Sequence, residues 1–251
     1  MQRYFLSEES FDGTYVMIDG EDAKHIARVM RMTLGAQIIC CDNHGSCYRC
    51  EISEVSSDIV KADIIEQIEK NVELPIDVSI AHGLPKGDKL ELVIQKGTEL
   101  GAIKFIPFQA ERSIVKWDEK KAEKKIERWN KISKEASEQS HRQYVPQVET
   151  VQKLKQLLRH FHLYSYVILA NEEQAKNDEK SQFHHTLSQM KRGDSLLLVV
   201  GPEGGFSDRE VEIMINAGAI SCALGPRILR SETAPLYGLA AISYHFELMG
   251  G

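Results

Sequence analysis

The apolar and polar residues of this chain follow two different rhythms, which meet near residues 71–75. Residues 1–72 contain short runs with the two-residue period of half-buried strands, separated by turn residues. One helix interrupts them, and its apolar stripe includes Ala23, Ile26 and Met30. We therefore predict a small β-rich domain. Its strands are expected at Arg3–Leu6, Thr14–Ile18, Ala36–Cys41, Ser46–Val55 and Asp58–Glu66.

Residues 73–251 instead alternate strand-like and helix-like segments, which is the pattern of an α/β domain. The last predicted helix, Pro235–Met249, is apolar on nearly every face, so we expect part of it to be buried against a second subunit. The predicted strands are Ile76–Ala81, Ile103–Phe108, Tyr164–Ala170, Ser195–Val200 and Ala219–Leu224. The other predicted helices are Lys86–Leu100, Asp118–Gln139, Val151–Arg159, Phe183–Met190 and one that begins at Ser207. Ser207 and Glu210, three residues on, have the spacing of a capping box at the start of that helix.

Two stretches of this second domain combine a buried strand with an unusual turn. The five apolar residues Leu196–Val200 are typical of a strand covered on both faces, and Gly201–Gly205 ends that strand. The strand-like segment Ala219–Leu224 is followed by Gly225–Glu232. Open α/β sheets bind ligands in loops at the carboxyl ends of neighbouring strands. We therefore expect the two turns to line one site.

The composition of the first turn narrows the kind of ligand. Gly201, Gly204 and Gly205 permit a positive φ and a close approach of a ligand to the backbone. The turn fits neither G-x-G-x-x-G nor G-x-x-x-x-G-K-[ST], and no lysine follows its glycines. A loop dominated by main-chain groups suits a neutral, flat group such as adenine. The alternative interpretation is a pair of ordinary strand-to-helix turns.

Together, Gly201–Ser207 and Leu224–Ala234 resemble the SPOUT-class methyltransferases, and more narrowly the ribosomal RNA small subunit methyltransferase E family. The resemblance extends over essentially the whole chain. It implies an α/β fold: a SPOUT-type trefoil-knot methyltransferase domain at 73–251, preceded by a PUA-like β-barrel RNA-docking domain at 1–72. It also implies methylation of N3 of one uridine in 16S rRNA, with S-adenosylmethionine (SAM) as methyl donor, by a homodimer that acts on the RNA or the small ribosomal subunit.

The resemblance assigns residues to the SAM site as well. The two turns would hold the adenosine mostly through main-chain groups, between apolar walls. The expected cofactor-binding residues are Leu169, Gly201, Pro202, Glu203, Gly204, Gly205, Leu224, Gly225, Ile228, Leu229, Arg230, Thr233 and Ala234.

The reaction itself suggests which side chains would be catalytic. Methyl transfer from a sulfonium to nitrogen mainly requires alignment of the two reactants. The uracil N3 carries a proton at neutral pH, so a carboxylate base, or a cation that stabilises the uracil anion, would assist. Arg230 and Glu232 flank the second turn and are the candidates, with Arg112 behind them. A surface ion pair with a helix-dipole glutamate is the alternative interpretation of Arg230 and Glu232.

Basic residues at positions that match the family are candidate RNA contacts. They come from the helix of the first domain and from helix ends and loops of the second. A solvated basic surface is the alternative, and it is the interpretation adopted for Lys89. The predicted RNA-binding residues are His25, Arg28, Arg31, Lys86, Lys96, Arg112 and Arg142.

Composition limits these possibilities only in part. The net charge is −6, which argues against a generally nucleic-acid-binding surface. Residues 81–145 nevertheless carry 14 Lys and Arg against 10 Asp and Glu, so a local basic patch is permitted. No apolar run approaches the ~18 residues of a membrane span, and the N-terminal residues turn acidic where a signal peptide is apolar. We expect a cytoplasmic protein without a membrane partner.

Four of the five cysteines fall within residues 40–50. The spacing Cys47-x-x-Cys50 suggests a zinc site, but strand residues three apart point to opposite faces. We therefore expect no metal, and free thiols in a reducing compartment.

Two other functions are compatible with the sequence. The chain could be a SPOUT methyltransferase for another target, such as tRNA or a ribose 2′-oxygen. It could also be a non-catalytic RNA-binding assembly factor that keeps the scaffold. A nicotinamide oxidoreductase is disfavoured because the dinucleotide fingerprint is missing.

Overall fold

The computed structural model describes residues 1–115, 122–171 and 182–250. The chain forms two compact units. Unit 1 comprises Met1–Glu73 and Ser137–Val145, and unit 2 comprises Leu74–Ala136 and Pro146–Gly251. Over the described ranges, every helix is too short or too polar to cross a membrane.

Unit 1 is built on a five-stranded sheet. Its strands are β1 (Arg3–Phe5), β2 (Tyr15–Asp19), β3 (Gln37–Cys41), β4 (Cys47–Val55) and β5 (Ile59–Gln67). They lie in the order β1-β3-β4-β5-β2, with β1 parallel to β3 and the other pairs antiparallel. The five predicted strands are confirmed, and their ends differ by one residue at most. Helix α1 (Gly20–Lys24) continues as a π-helical turn, His25–Val29, whose Ile26 side chain is buried in the core.

The β3–β4 hairpin carries four cysteines on its two faces. Cys40 and Cys50 belong to one core cluster and Cys41 and Cys47 to the other, so the predicted divergence of Cys47 and Cys50 is confirmed. The prediction of free thiols is wrong for Cys41 and Cys47, which lie opposite each other in the strand register and form a disulfide. Directly opposed strand residues bring their Cβ atoms within disulfide reach. The cysteine spacing alone does not reveal that register.

Unit 2 contains a seven-stranded sheet, and every strand pair in it is parallel. The strands are β6 (Asp77–Gly83), β7 (Lys104–Gln109), β8 (Gln147–Val148), β9 (Gln152–Lys153), β10 (Tyr166–Ala170), β11 (Ser195–Val200) and β12 (Ile220–Cys222). The helices are α2 (Lys89–Glu99), α3 (Ala122–Gln139), α4 (Leu154–Leu158), α5 (Gln182–Gln189), α6 (Asp208–Asn216) and α7 (Thr233–Ser243), the last followed by a π-helical turn, Tyr244–Leu248. The strand order is β12-β10-β11-β6-β7-β8, and β9 also pairs with β7.

Helices cover both faces of this sheet, as the apolar run in β11 predicts. Leu196, Leu198 and Val200 pack in one core cluster with side chains of α2, α3, α5 and α7. Leu197 and Val199 pack in the other with side chains of α4 and α6. Each of these buried aliphatic side chains contributes roughly 1.5–3 kcal/mol. The central strand is therefore held from two sides, and its carboxyl end is a fixed point of the unit.

Some predicted boundaries differ from the observed ones. Helix α2 begins at Lys89 instead of Lys86, because Gly87 adopts a φ of +60° that ends the preceding turn. The predicted helix Val151–Arg159 is helical only in its second half, after β9. The predicted start of α3 at Asp118 lies outside the described residues. The same is true of Glu172 and Glu173, which belong to the polar stretch that begins at Asn171 and that the sequence suggests as a third loop beside the ligand site.

Arg142, a predicted RNA contact, is buried within unit 1. Its side chain is 3% exposed, and its Nε donates to Glu73 Oε2 at 2.7 Å. The Arg142 carbonyl accepts a hydrogen bond from Arg3 Nη1 at 2.6 Å, and Glu73 Oε1 accepts the Gln143 N–H at 2.7 Å. The prediction is wrong, because a guanidinium enclosed in this way has no surface to offer a phosphate. Arg142 is buried there because the segment Ser137–Val145 belongs to unit 1, although the residues on both sides of this segment belong to unit 2.

We predict that Arg142→Met lowers the free energy of unfolding by about 3–5 kcal/mol, because it leaves the Glu73 carboxylate buried and unpaired. Urea unfolding of the full chain measures this loss. The matched variant Arg31→Met removes an exposed arginine and is expected to change stability by less than about 0.5 kcal/mol. Unchanged stability of Arg142→Met together with weaker RNA binding would restore Arg142 as an RNA contact.

Candidate active site

A cavity of about 500 Å³ opens at the carboxyl ends of the unit 2 strands. This volume lies within the range of small-molecule sites. The cavity is lined by segments that follow β7, β10, β11 and β12 and by the first residue of α2. The two glycine-containing turns thus share one site. Their strands are not neighbours, however, because β10 lies between β11 and β12.

The turn after β11, which we call the first glycine loop (Gly201–Phe206), passes close to two other backbone segments. A Cβ on Gly83 would lie 2.5 Å from Pro202 Cδ and 2.8 Å from Pro202 N. A Cβ on Gly204 would lie 3.1 Å from Arg112 Cβ and 3.2 Å from the Arg112 carbonyl oxygen. Packing therefore requires glycine at position 83, whereas a side chain at position 204 would need Arg112 to move by a few tenths of an ångström. The close approach fixes the path of the loop across the ends of β6 and β7.

The segment after β7 supports the first glycine loop through hydrogen bonds. The Glu111 N–H donates to Glu210 Oε1 at 2.7 Å, and Ser207 Oγ donates to Glu111 Oε2 at 2.7 Å. Ser207 and Glu210 form the predicted capping box at the start of α6. Arg112 Nη1 donates to the Gly204 carbonyl at 3.3 Å. Arg112 therefore belongs to the structure of the loop as well as to the wall of the cavity.

The segment after β12, which we call the second loop (Leu224–Glu232), is held at its far end by a buried histidine. His82 Nε2 lies 2.9 Å from the Ser231 carbonyl oxygen, and Nδ1 lies 2.7 Å from the Gly83 carbonyl oxygen. Burial lowers the pKa of His82, although the two carbonyl partners and the nearby Glu203 and Glu232 carboxylates act against this effect. His82 ties the second loop to the end of β6.

A lysine bridges the two loops. Lys89 Nζ lies 3.0 Å from Glu203 Oε1 in the first glycine loop and 3.3 Å from Glu232 Oε2 in the second loop. Glu203 Oε1 also accepts the Lys86 N–H at 3.1 Å. Burial acts to raise the pKa of Glu232, but hydrogen bonds from its own N–H, Lys89 and Ser231 hold it below the ordinary carboxyl value. The expectation that Lys89 is merely solvated is wrong.

Most of the predicted cofactor and catalytic residues meet at this cavity. Those in its wall are Arg112, Gly201, Pro202, Glu203, Gly204, Gly205, Leu224, Gly225, Ile228, Leu229, Arg230 and Ala234. Glu232 is adjacent through Lys89. Leu169 and Thr233 are not in the wall: Leu169 is buried in the second core cluster, and Thr233 is the first residue of α7. Ala170 and Asn171, which follow Leu169, occupy the wall instead.

Sequence reasoning missed several residues of the wall. Ala223 directly follows the strand β12, so its position at a strand end is a signal that was available. Arg227 also lines the cavity and is exposed. No sequence signal marks Lys89, because its partners are more than a hundred residues away.

The remaining predicted RNA contacts lie outside the cavity wall. In unit 1, Arg28 and Arg31 are exposed, and Arg28 pairs with Asp58 at 3.5 Å. His25 Nδ1 lies 3.1 Å from the Tyr4 hydroxyl. In unit 2, Lys86 is exposed and Lys96 Nζ donates to Glu99 Oε1 at 2.7 Å.

The wall of the cavity is partly apolar and partly polar. Its apolar part includes Val200, Ala223 and Leu229, and the glycines of the first glycine loop also line it. Arg230 and Arg112 supply positive charge at the same cavity. Within the described ranges, no cluster of three or more His, Cys, Asp or Glu side chains is placed to hold a metal ion. The arrangement suits binding and alignment of an adenosine-containing ligand.

Comparison with protein families gives matches to both parts of the chain. Residues 72–243 match the family described as an RNA methyltransferase domain, and residues 18–65 match the RNA methyltransferase PUA domain. With the parallel sheet and the cavity at its carboxyl edge, these matches define a SPOUT-class RNA methyltransferase with a PUA-like domain.

Individual relatives specify the family further. Ribosomal RNA small subunit methyltransferase E of Bacillus subtilis is 52% identical over 100% of this chain and 99% of its own length. The enzyme of the same name from Neisseria gonorrhoeae, solved bound to SAM, is 27% identical with a TM-score of 0.84 and covers 98% of each chain. A Legionella pneumophila protein solved with bound SAM is 29% identical, with a TM-score of 0.83 and 97% coverage of each chain. The chain belongs to the ribosomal RNA small subunit methyltransferase E family.

We predict that Gly83→Ala weakens SAM binding, because the new methyl group displaces the Pro202 backbone and the loop attached to it. Overpacking of this kind also costs about 1–3 kcal/mol of stability. Isothermal titration calorimetry and thermal unfolding measure the two effects. Gly193→Ala is the matched control: its φ of +87° makes it strained, but its Cβ meets no atom within 4 Å. It should lose stability only, and an unchanged SAM affinity in Gly83→Ala would contradict the packing argument.

Proposed function

We propose that this protein transfers the methyl group of SAM to N3 of one uridine in 16S rRNA. The observation that carries the proposal is the convergence of the two glycine-containing loops and Arg230 on one cavity of unit 2, with Glu232 beside it through Lys89. Membership of the ribosomal RNA small subunit methyltransferase E family supports the choice of rRNA over tRNA. The SAM-bound relatives support catalysis over a purely structural role in assembly.

The cavity fits the adenosine of SAM. Gly201, Gly204, Gly205 and Gly225 lie in the wall of the cavity, where the lack of a side chain lets a ligand approach the main chain, and Ala234 also lines the wall. SAM supplies a methyl group already activated on a positively charged sulfur. The protein's task is to hold this group in line with the attacking nitrogen, which can account for up to about 7–11 kcal/mol of the barrier.

The removal of the N3 proton is assigned to the charged residues at the second loop. Glu232 is ionised at neutral pH, because the pKa of its carboxyl is lowered by its hydrogen bonds despite partial burial. It can therefore take up the N3 proton as the N–H bond breaks, although a carboxylate with a low pKa is a weak base. Arg230 must then stabilise the negative charge that develops on the uracil, with Arg112 as a second cation.

The first unit provides the RNA contact in this proposal. Residues 1–72 act as the PUA-like docking domain through His25, Arg28 and Arg31, and residues 73–251 act as the methyltransferase domain, with Lys86 and Lys96 as further contacts. The exposed positions of Arg28, Arg31 and Lys86 support this assignment. Because its substrate is rRNA or the small subunit, we place the protein in the cytoplasm.

A homodimer is part of the proposal. One face of α7 and the turn after it packs in the core through Leu239, Ile242 and Phe246. The other face exposes Tyr237, Tyr244 and Leu248, and Leu248 is 75% exposed. These three residues follow one another at steps of seven and four, so they form a continuous apolar stripe along the helix. A second copy of the chain would remove this stripe from water.

The rRNA assignment is tested by digestion of 16S rRNA and mass spectrometry in cells that lack the protein. We predict that one methyluridine is absent, and that it returns when the wild-type chain is supplied. We expect that Arg230→Met does not restore the methyluridine. This variant should still bind SAM in calorimetry, because the loops hold the adenosine through their main chain.

Arg159→Met, an exposed arginine outside the cavity wall, serves as the control and should restore the modification. Full restoration by Arg230→Met would remove Arg230 from the catalytic residues. If the deleted strain lacks a modification in tRNA or on a ribose while its 16S rRNA is normally modified, that site replaces the 16S rRNA uridine as the target. Normal modification of all these RNAs, with no heat on addition of SAM, would indicate a non-catalytic RNA-binding protein.

The dimer is tested by analytical ultracentrifugation. We predict that the molar mass measured for the wild-type protein is twice the 28.4 kDa mass of the chain. Leu248→Glu should sediment as a monomer, because a buried unpaired carboxylate opposes association. Leu163→Glu alters a leucine of similar exposure, 65%, outside this stripe and should remain dimeric. A monomeric wild-type protein, or a dimer that tolerates Leu248→Glu, would contradict this interface.

A further inference from the structure

The surroundings of Lys89 differ from those of a solvated surface lysine. It is the first residue of α2, its side chain is 34% exposed, and it lies in the wall of the cavity. Its ammonium group contacts Glu203 and Glu232, which belong to loops that follow two different strands. The lysine therefore joins three segments that have no backbone hydrogen-bond ladder between them at this point.

The charges explain why such a bridge matters. Glu203 and Glu232 both place a carboxylate oxygen within 3.3 Å of the same nitrogen. Without the ammonium group, two like charges would face each other at a partly desolvated position, where they repel more strongly than in water. The contacts with the two carboxylates raise the pKa of Lys89, so the group is a permanent cation at physiological pH. Its role is accordingly that of a fixed charge.

We propose that Lys89 is a positioning residue that holds the first glycine loop and the second loop at the separation required to bind SAM. The proposal deepens the proposed function and rests on it, because it assigns the control of SAM affinity to a residue outside both loops. The ammonium group is already shared by two carboxylates, so it is a poor partner for an RNA phosphate. Glu203 in turn fixes the turn before α2 through the Lys86 N–H.

The proposal predicts a specific pattern of SAM affinities in calorimetry with the purified full chain and no RNA. Lys89→Met should raise the Kd for SAM by about tenfold or more, which corresponds to a loss of about 1.4 kcal/mol of binding. Lys89→Arg keeps the charge and should stay within about threefold of the wild type. Glu203→Gln added to Lys89→Met should recover much of the loss, because it removes one of the two repelling charges.

The chain contains a closely matched control for this substitution. Lys104 is 33% exposed and pairs with Glu149 at 3.4 Å, but it lies at the amino end of β7 and outside the cavity wall. Lys104→Met removes an equivalent ion pair, so it should leave the Kd for SAM unchanged. Circular dichroism and thermal unfolding establish that all variants are folded.

Three results would overturn the proposal. An unchanged Kd for SAM in Lys89→Met, with an increased KM for rRNA, would make Lys89 an RNA contact. A loss that Glu203→Gln does not reduce would indicate that the lysine stem acts by packing alone. RNA is absent from the titration, so the measured Kd values for SAM do not depend on which RNA is the substrate. A wild-type chain that binds no SAM would contradict both this proposal and the proposed function.

Discussion

The close packing of Gly83 against Pro202 is the constraint on which the site depends. Strands β6 and β11 are parallel neighbours, so their carboxyl ends leave the sheet side by side. A side chain at position 83 would occupy the space of the Pro202 ring and backbone nitrogen, and the first glycine loop could not cross there. Packing at the carboxyl ends of β6 and β11 therefore determines where the site forms. Helices on both faces keep those ends in place.

Electrostatic contacts then determine how the loops stand relative to one another. Glu210 and Glu111 fix the start of α6 against the segment after β7, His82 fixes the end of the second loop, and Lys89 joins both loops. Each contact is worth little by itself where it is solvent-exposed. Together they establish the arrangement before a ligand arrives, and preorganised charge and alignment are the main contributions expected of a methyltransferase protein.

The sequence predicts strands and glycine loops well, because these follow from local patterns. The five apolar residues of β11 and the capping box at Ser207 are examples. Contacts between distant segments escape such reasoning: the Arg142–Glu73 pair and the bridge made by Lys89 depend on a chain path that periodicity does not contain. The Cys41–Cys47 disulfide spans only six residues, but it depends on the register of the β3–β4 hairpin, which the cysteine spacing does not reveal. The position of β10 between β11 and β12 escapes for the same reason, although both loops still reach one cavity.

The proposed SAM site can be seen directly in a crystal structure of the protein with S-adenosylhomocysteine, the product of methyl donation. We predict that the adenine lies between Gly201–Gly205 and Leu224–Leu229, held mainly by main-chain groups, with Lys89 still in contact with Glu203 and Glu232. Adenosine bound elsewhere, or bound between these loops with the lysine bridge broken, would contradict it.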